Sequence, residues 1–147
     1  MELKFQVKGI INKPISDVFA GIYDPEKISQ YFTTGGASAP LDEGTTVSWD
    51  FADFPGAFPV EVKKMVKDSL ITIAWDSNEP GRKNLVEFKF AELKDGRTEV
   101  SISESGWQVN QKSLAASYMN CQGWMHMLCS LKVYLEYGIQ LRKGFFK

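Results

Sequence analysis

Few groups in this chain have the capacity for chemistry, and one carboxylate stands apart from the rest. Glu104 shares strand parity with Val100 and Ile102, so its side chain points to an apolar face unless the strand has already ended. A carboxylate among aromatic rings has its charged form disfavoured, a common route to a general acid or base. Charged residues are seldom fully buried, so the strand-end alternative, with Glu104 reaching water, carries more weight. Ser105, Tyr118 and Asn120 have the groups to hydrogen-bond a ligand, and all three are equally ordinary at their positions. His126 is the only histidine and is expected on the flank of a helix; Cys121 and Cys129 are the only cysteines. One imidazole and two unpaired thiols are poor material for a zinc site or a histidine-bearing triad, so no metal and no cofactor is expected. In a helix the two cysteine Cα atoms lie about 12 Å apart, beyond disulfide reach. They are expected as free, core-facing thiols, which suits a reducing cytoplasm. No nucleophile has a base beside it, and Gly35, Gly36 and Gly44 are too loosely arranged for a phosphate cradle.

The bulk properties narrow the partners. Lys plus Arg is 17 and Asp plus Glu is 18, a net charge of -1, which argues against nucleic acid as a partner. Lys63, Lys64, Lys67, Arg82 and Lys83 are interrupted by acids and read as solvated surface. With 147 residues, 44% hydrophobic and 24% charged, the chain fits one globular domain over 1–147. Its apolar runs are too short for a membrane span.

The elements that must position these groups follow from periodicity. Glu2 to Lys8 alternates as a half-buried strand, stopped by Asn12-Lys13-Pro14. Ile15, Val18, Phe19 and Ile22 mark one helical stripe, and Asp24-Pro25 starts a second short helix carrying Ile28, Tyr31 and Phe32. Thr33 to Gly44 reads as loop. Strands follow on Val47, Trp49 and Phe51; on Phe58, Val60 and Val62 after the turn Asp53-Phe54-Pro55-Gly56; on Ile71, Ile73 and Trp75; on Val86, Phe88 and Phe90; and on Val100 and Ile102. Their short connections predict an antiparallel meander. From Asn110 to Tyr137 a long helix is predicted, about 42 Å of it. Its stripe is read as Leu114, Tyr118, Cys121, Met125, Leu128, Leu131 and Leu135, broadened by Trp124, with Gly138 as C-cap. Gly123, in mid-helix, suggests close packing there.

The expected class is therefore α+β: a curved antiparallel sheet of about six strands, two short helices, and a long C-terminal helix across the concave face. A straight rod on a bent sheet leaves uneven space. Phe32, Trp49, Phe51, Phe58, Trp75, Phe88, Phe90, Tyr118, Trp124, Met127 and Leu128 are the side chains offered to it as a ligand-binding set. Rings that simply fill the gap are the equal alternative. The aromatic turn at Phe54 is a candidate either for the cavity mouth or for a docking contact.

This order of elements resembles the helix-grip fold of the START-like superfamily, which includes polyketide cyclases and birch-pollen-allergen proteins. Asn12-Lys13-Pro14-Ile15-Ser16-Asp17-Val18-Phe19 with Asp24-Pro25-Glu26-Lys27-Ile28 is similar to the opening of homologues of the activator of heat-shock-protein-90 ATPase. Gly123-Trp124, Leu128, Leu131-Lys132, Tyr134-Leu135-Glu136 and Gly138 resemble that family's closing helix. The resemblance implies a cavity for a small hydrophobic or aromatic molecule, a chaperone-binding module as one alternative, and a cyclase-like enzyme with Glu104 or Tyr118 moving a proton as another. Tyr31-Phe32 departs from the tryptophan many relatives carry there. A homodimer is common at this size, and nothing in the sequence demands one.

Overall fold

In the computed structural model, which describes residues 1–147, the alternating segments pair into one seven-stranded antiparallel sheet. The elements run β1 (Lys4–Ile11), α1 (Ile15–Tyr23), α2 (Pro25–Ile28), β2 (Gly36–Ala37), β3 (Thr46–Phe51), β4 (Phe54–Val66), β5 (Leu70–Asp76), β6 (Lys83–Glu92), β7 (Thr98–Ser105) and α3 (Gln111–Tyr137). The order across the sheet is β1-β7-β6-β5-β4-β3-β2. Consecutive strands neighbour one another, and β1 closes the far edge on β7. The α+β helix-grip architecture is the one expected.

Three boundaries differ from expectation. The seventh strand is β2, which lies inside the stretch read as loop. Two residues are too short for a periodic signal, and only pairing of Gly36 and Ala37 with Asp50 and Trp49 makes them strand. The turn into β4 is Ala52-Asp53, not Asp53 to Gly56. Phe51 pairs with Phe54, so Pro55 and Gly56 belong to the strand, at its exposed start. Finally, β1 begins at Lys4 and continues through Gly9 to Ile11, because the full length of β7 is available to pair with it.

Register shifts in the β3–β4 pairing near Trp49 and Phe51, and in β4–β5 near Val62 and Lys64, bend the sheet. The second shift reverses the alternation, so Phe58, Val60 and Val62 face inward and Met65 does so after the bulge. α3 lies across the resulting hollow. Asn110 caps it, its side chain accepting from the Ser113 N–H at 2.8 Å, and Gly138 ends it in the left-handed conformation at φ 68°. α1 reaches α3 through Gly21, where a Cβ would sit 2.9 Å from Leu131 Cδ1.

The inward face of α3 is not the stripe read from the sequence. Leu128 and Leu131 are buried as expected, but Tyr118 is 67% exposed and Met125 42%. Ser113, Ser117, Trp124, Met127 and Leu128 take the inward positions. The cause is polar: the first turns of α3 lie against a hydrogen-bonding region, where Ser113 Oγ is 3.3 Å from Asn78 Nδ2 and Ser117 donates to the Leu114 carbonyl. Small hydroxyl residues therefore occupy places that a hydrophobic pattern assigns elsewhere. The same rotation leaves Cys129 exposed and Cys121 only half-buried, so the expectation of two core-facing thiols is corrected; both are free. No helix is long and apolar enough to cross a membrane.

Candidate functional site

Strand β7 carries Glu104 inward in line with Val100 and Ile102, and the carboxylate is 1% exposed. The expectation that it reaches water is overturned, and its hydrogen bonds give the reason. Trp124 Nε1 donates to Oε1 at 2.8 Å, and Trp75 Nε1 donates to Oε2 at 2.8 Å. Asn84 Nδ2 donates to Oε2 at 3.0 Å, and Asn120 Nδ2 lies 3.1 and 3.2 Å from the two oxygens. A carboxylate is an acceptor with about four lone-pair sites. Here donors from β5, β6 and α3 fill them. The group ties three strands to the long helix and fixes two indoles at their N–H ends. Neither asparagine partner is signalled by sequence; Asn120 was visible only as a possible ligand contact.

Beside this cluster opens a cavity of about 240 Å³ between the sheet and α3. Its walls are Phe32, Phe51, Phe54 and Trp75 on the sheet side and Met119, Asn120, Gln122, Gly123 and Trp124 on α3, closed by Arg142 and Phe146 of the C-terminal segment. Phe32 meets Phe51 edge to face at 5.0 Å and 72°, and Trp75 packs on Trp124 at 5.2 Å with the two planes tilted by 36°. Gly123 lines the space. A Cβ built there would meet nothing within 4 Å, so this glycine leaves a gap instead of permitting close packing. Gly21, not Gly123, is the close-approach glycine of the helix pair.

The remaining wall folds back from beyond the helix end. Arg142, 6% exposed, grips Asp53 through Nε at 3.0 Å and Nη2 at 3.1 Å. Its guanidinium lies 4.5 Å from the Phe51 ring centre. Phe145 and Phe146 pack on His126 with ring centres 4.1 and 4.7 Å away, and Phe146 also faces Phe54 at 6.2 Å. His126 is thus a covered residue, not a flank side chain. Burial pushes its pKa below the ordinary value, the Arg142 charge adds to this, and Asp53 opposes it. Its Nδ1 lies 3.4 Å from Ser130 Oγ, and its Nε2 has no partner.

Of the side chains offered from sequence as a ligand-binding set, Phe32, Phe51, Trp75 and Trp124 come together on the cavity wall. Trp49, Phe88, Phe90, Met127 and Leu128 lie in the packed core behind it, and half-buried Phe58 sits between Phe51, Trp49 and Trp75, edge-on to both indoles. Tyr118 points to solvent, away from the cavity. Open pocket and filled core are therefore both present and adjoin, sharing Phe32 and Trp124. The wall residues missed were Met119, Gln122, Arg142 and Phe146. The pair Phe145-Phe146 beyond a C-cap glycine is the one signal that could have pointed to a docked tail. No group of three or more His, Cys, Asp or Glu side chains is placed to hold a metal ion.

Comparison with known proteins agrees with the fold described above. The crystal structure of SSP2350 from Staphylococcus saprophyticus superposes with a TM-score of 0.79 at 24% identity, covering 95% of this chain and 96% of that one. DynU16, from the dynemicin biosynthetic locus, gives 0.78 at 24% identity over 92% of this chain and 48% of its own. The Aha1 dimer from Colwellia psychrerythraea gives 0.75 at 19% identity over 92% and 98%. These likenesses show the fold. No curated protein matches the chain. The family model described as activator of Hsp90 ATPase homolog 1-like protein matches residues 12–136, most of the length, and the chain belongs to that family.

Proposed function

We propose that this protein binds one small hydrophobic or aromatic molecule in the cavity between the sheet and α3. The observation that carries this reading is the gap at Gly123. A glycine in the interior of a helix costs about 1 kcal/mol relative to alanine. Here that cost brings no tighter packing, only open space ringed by aromatic side chains. An engineered apolar cavity of about 150 Å³ takes up benzene. The space found here, about 240 Å³, suits a molecule of one or two rings. Glu104 enters as a positioning residue that holds Trp75 and Trp124 in the wall. A carboxylate whose oxygens already accept from four side chains has little left to offer a reacting proton. The two free thiols fit a cytoplasmic setting for this activity.

The test is a thermal-shift screen of naphthalene-sized aromatics, flavonoids and fatty acids against the wild type and Gly123→Leu. A ligand at 100 times its dissociation constant adds about 2.7 kcal/mol to stability. Wild-type stabilisation that Gly123→Leu abolishes supports the proposal. No stabilisation of the wild type by any compound overturns it.

A second reading, a chaperone-interaction module, draws on the family description and on the outer face of α3. Tyr118 and Met125 stand exposed there without a charged neighbour on the helix between Lys112 and Lys132. Stimulation of a purified Hsp90-type ATPase by this chain, lost in Tyr118→Glu, would support it; no stimulation at saturation would end it.

A further inference from the structure

Arg142 is the only charged side chain among those that line the cavity, and it lies beyond residue 136, where the family match ends. The cavity thus receives its one cation from the segment that follows α3. The guanidinium is buried, lies against the Phe51 ring and spends Nε and Nη2 on Asp53, while Nη1 has no protein partner. Asp53 is itself largely buried, at 11% side-chain exposure. The pair therefore carries no net charge but keeps N–H groups unspent. On α3, Asn120 turns its Nδ2 to Glu104, which leaves its Oδ1 unpaired beside the cavity.

Resting on the ligand-binding reading above, we infer that the Arg142–Asp53 pair makes the cavity selective for an aromatic molecule bearing a neutral oxygen, a hydroxyl or carbonyl, over the same ring bearing a carboxylate or no polar group. A neutral oxygen accepts from Arg142 and leaves the ion pair intact. A ligand carboxylate brings a second negative charge to a guanidinium that Asp53 already neutralises, and the two carboxylates repel each other across it. A plain hydrocarbon covers that N–H without offering it an acceptor.

The experiment compares 2-naphthol, 2-naphthoate and 2-methylnaphthalene, by calorimetry or fluorescence quenching at pH 7.5, on four full-length proteins. These are the wild type, Arg142→Met, Asp53→Asn and the Asp53→Asn/Arg142→Met double variant, each first checked for folding by circular dichroism. One hydrogen bond to a charged donor is worth about a tenfold change in affinity. The wild type is expected to favour 2-naphthol over both rivals by about that factor. Arg142→Met, which keeps apolar bulk, erases the preference over 2-methylnaphthalene. Asp53→Asn frees the cation and turns the preference towards 2-naphthoate, and the double variant loses that gain. Binding of all three probes to the wild type with equal affinity, or a preference that Arg142→Met leaves intact, overturns the inference while leaving the cavity a binding site. Binding of none overturns both. If a single variant does not fold, the wild-type ranking and the remaining single variant still decide the outcome.

Discussion

Replacing Glu104 by glutamine removes one acceptor from the centre of the sheet–helix junction with almost no change in shape. In the native protein Oε1 receives Trp124 and Asn120, and Oε2 receives Trp75, Asn84 and Asn120. An amide offers one oxygen and an NH₂ group. If the NH₂ takes the Oε1 position, the Trp124 indole loses its acceptor; if it takes Oε2, Trp75 and Asn84 lose theirs. Either way the amide hydrogens face other donors in a dry site. Each buried donor left unpaired costs about 1–3 kcal/mol. One indole and the amide itself put the loss at roughly 3 kcal/mol or more. For a domain of this size that lowers Tm by about 6–12 °C. Urea denaturation followed by tryptophan fluorescence and near-ultraviolet dichroism measures both the stability and the fixed environment of Trp75 and Trp124. A Glu104→Gln protein within about 0.5 kcal/mol of the wild type, the range of ordinary surface changes, would refute the tether.

Gly123→Ala should stabilise the protein by up to about 1 kcal/mol, since the methyl meets no atom, while narrowing the cavity and weakening binding of any aromatic ligand; chemical denaturation paired with a binding titration reads both signs. His126, whose native pKa lies below its unfolded value, takes up its proton more readily when unfolded. The stability tied to its neutral form is complete above the ordinary histidine pKa of about 6.5 and drains away as pH falls through that value towards the lowered native one. Thermal melts from pH 7.5 to 5 should therefore show a steeper fall for the wild type than for His126→Phe, with matching slopes counting against a covered imidazole. Tyr118→Ala, on the open face of α3, should change stability by less than about 0.5 kcal/mol and leave aromatic binding intact.

What could be read from residues alone was whatever rests on local periodicity and punctuation. The alternation in Val47 to Phe51, Ile71 to Trp75 and Val86 to Phe90, the starts at Pro14 and Asp24-Pro25, and the stop at Gly138 all repeat within a few residues, and each was recovered. The helix-grip arrangement then follows from their order and lengths, because only one element can cover a bent sheet. The tertiary structure decided everything that depends on what an element lies against. Hydrophobic spacing placed Tyr118 and Met125 inward, but against the polar region under the first turns of α3 the inward places went to Ser113 and Ser117, and further along the helix to Trp124 and Met127. Glu104 was legible as a parity position, yet its burial became affordable only through indole and amide donors from three distant segments. Arg142 and Phe146 had no visible role, since a tail with no period of its own acquires one only by docking. Gly123 could be seen as a cost, and only the space around it showed that the cost keeps a cavity open. Local pattern reports the preferences of a segment; burial and charge are settled by neighbours far along the chain, which no window of sequence contains.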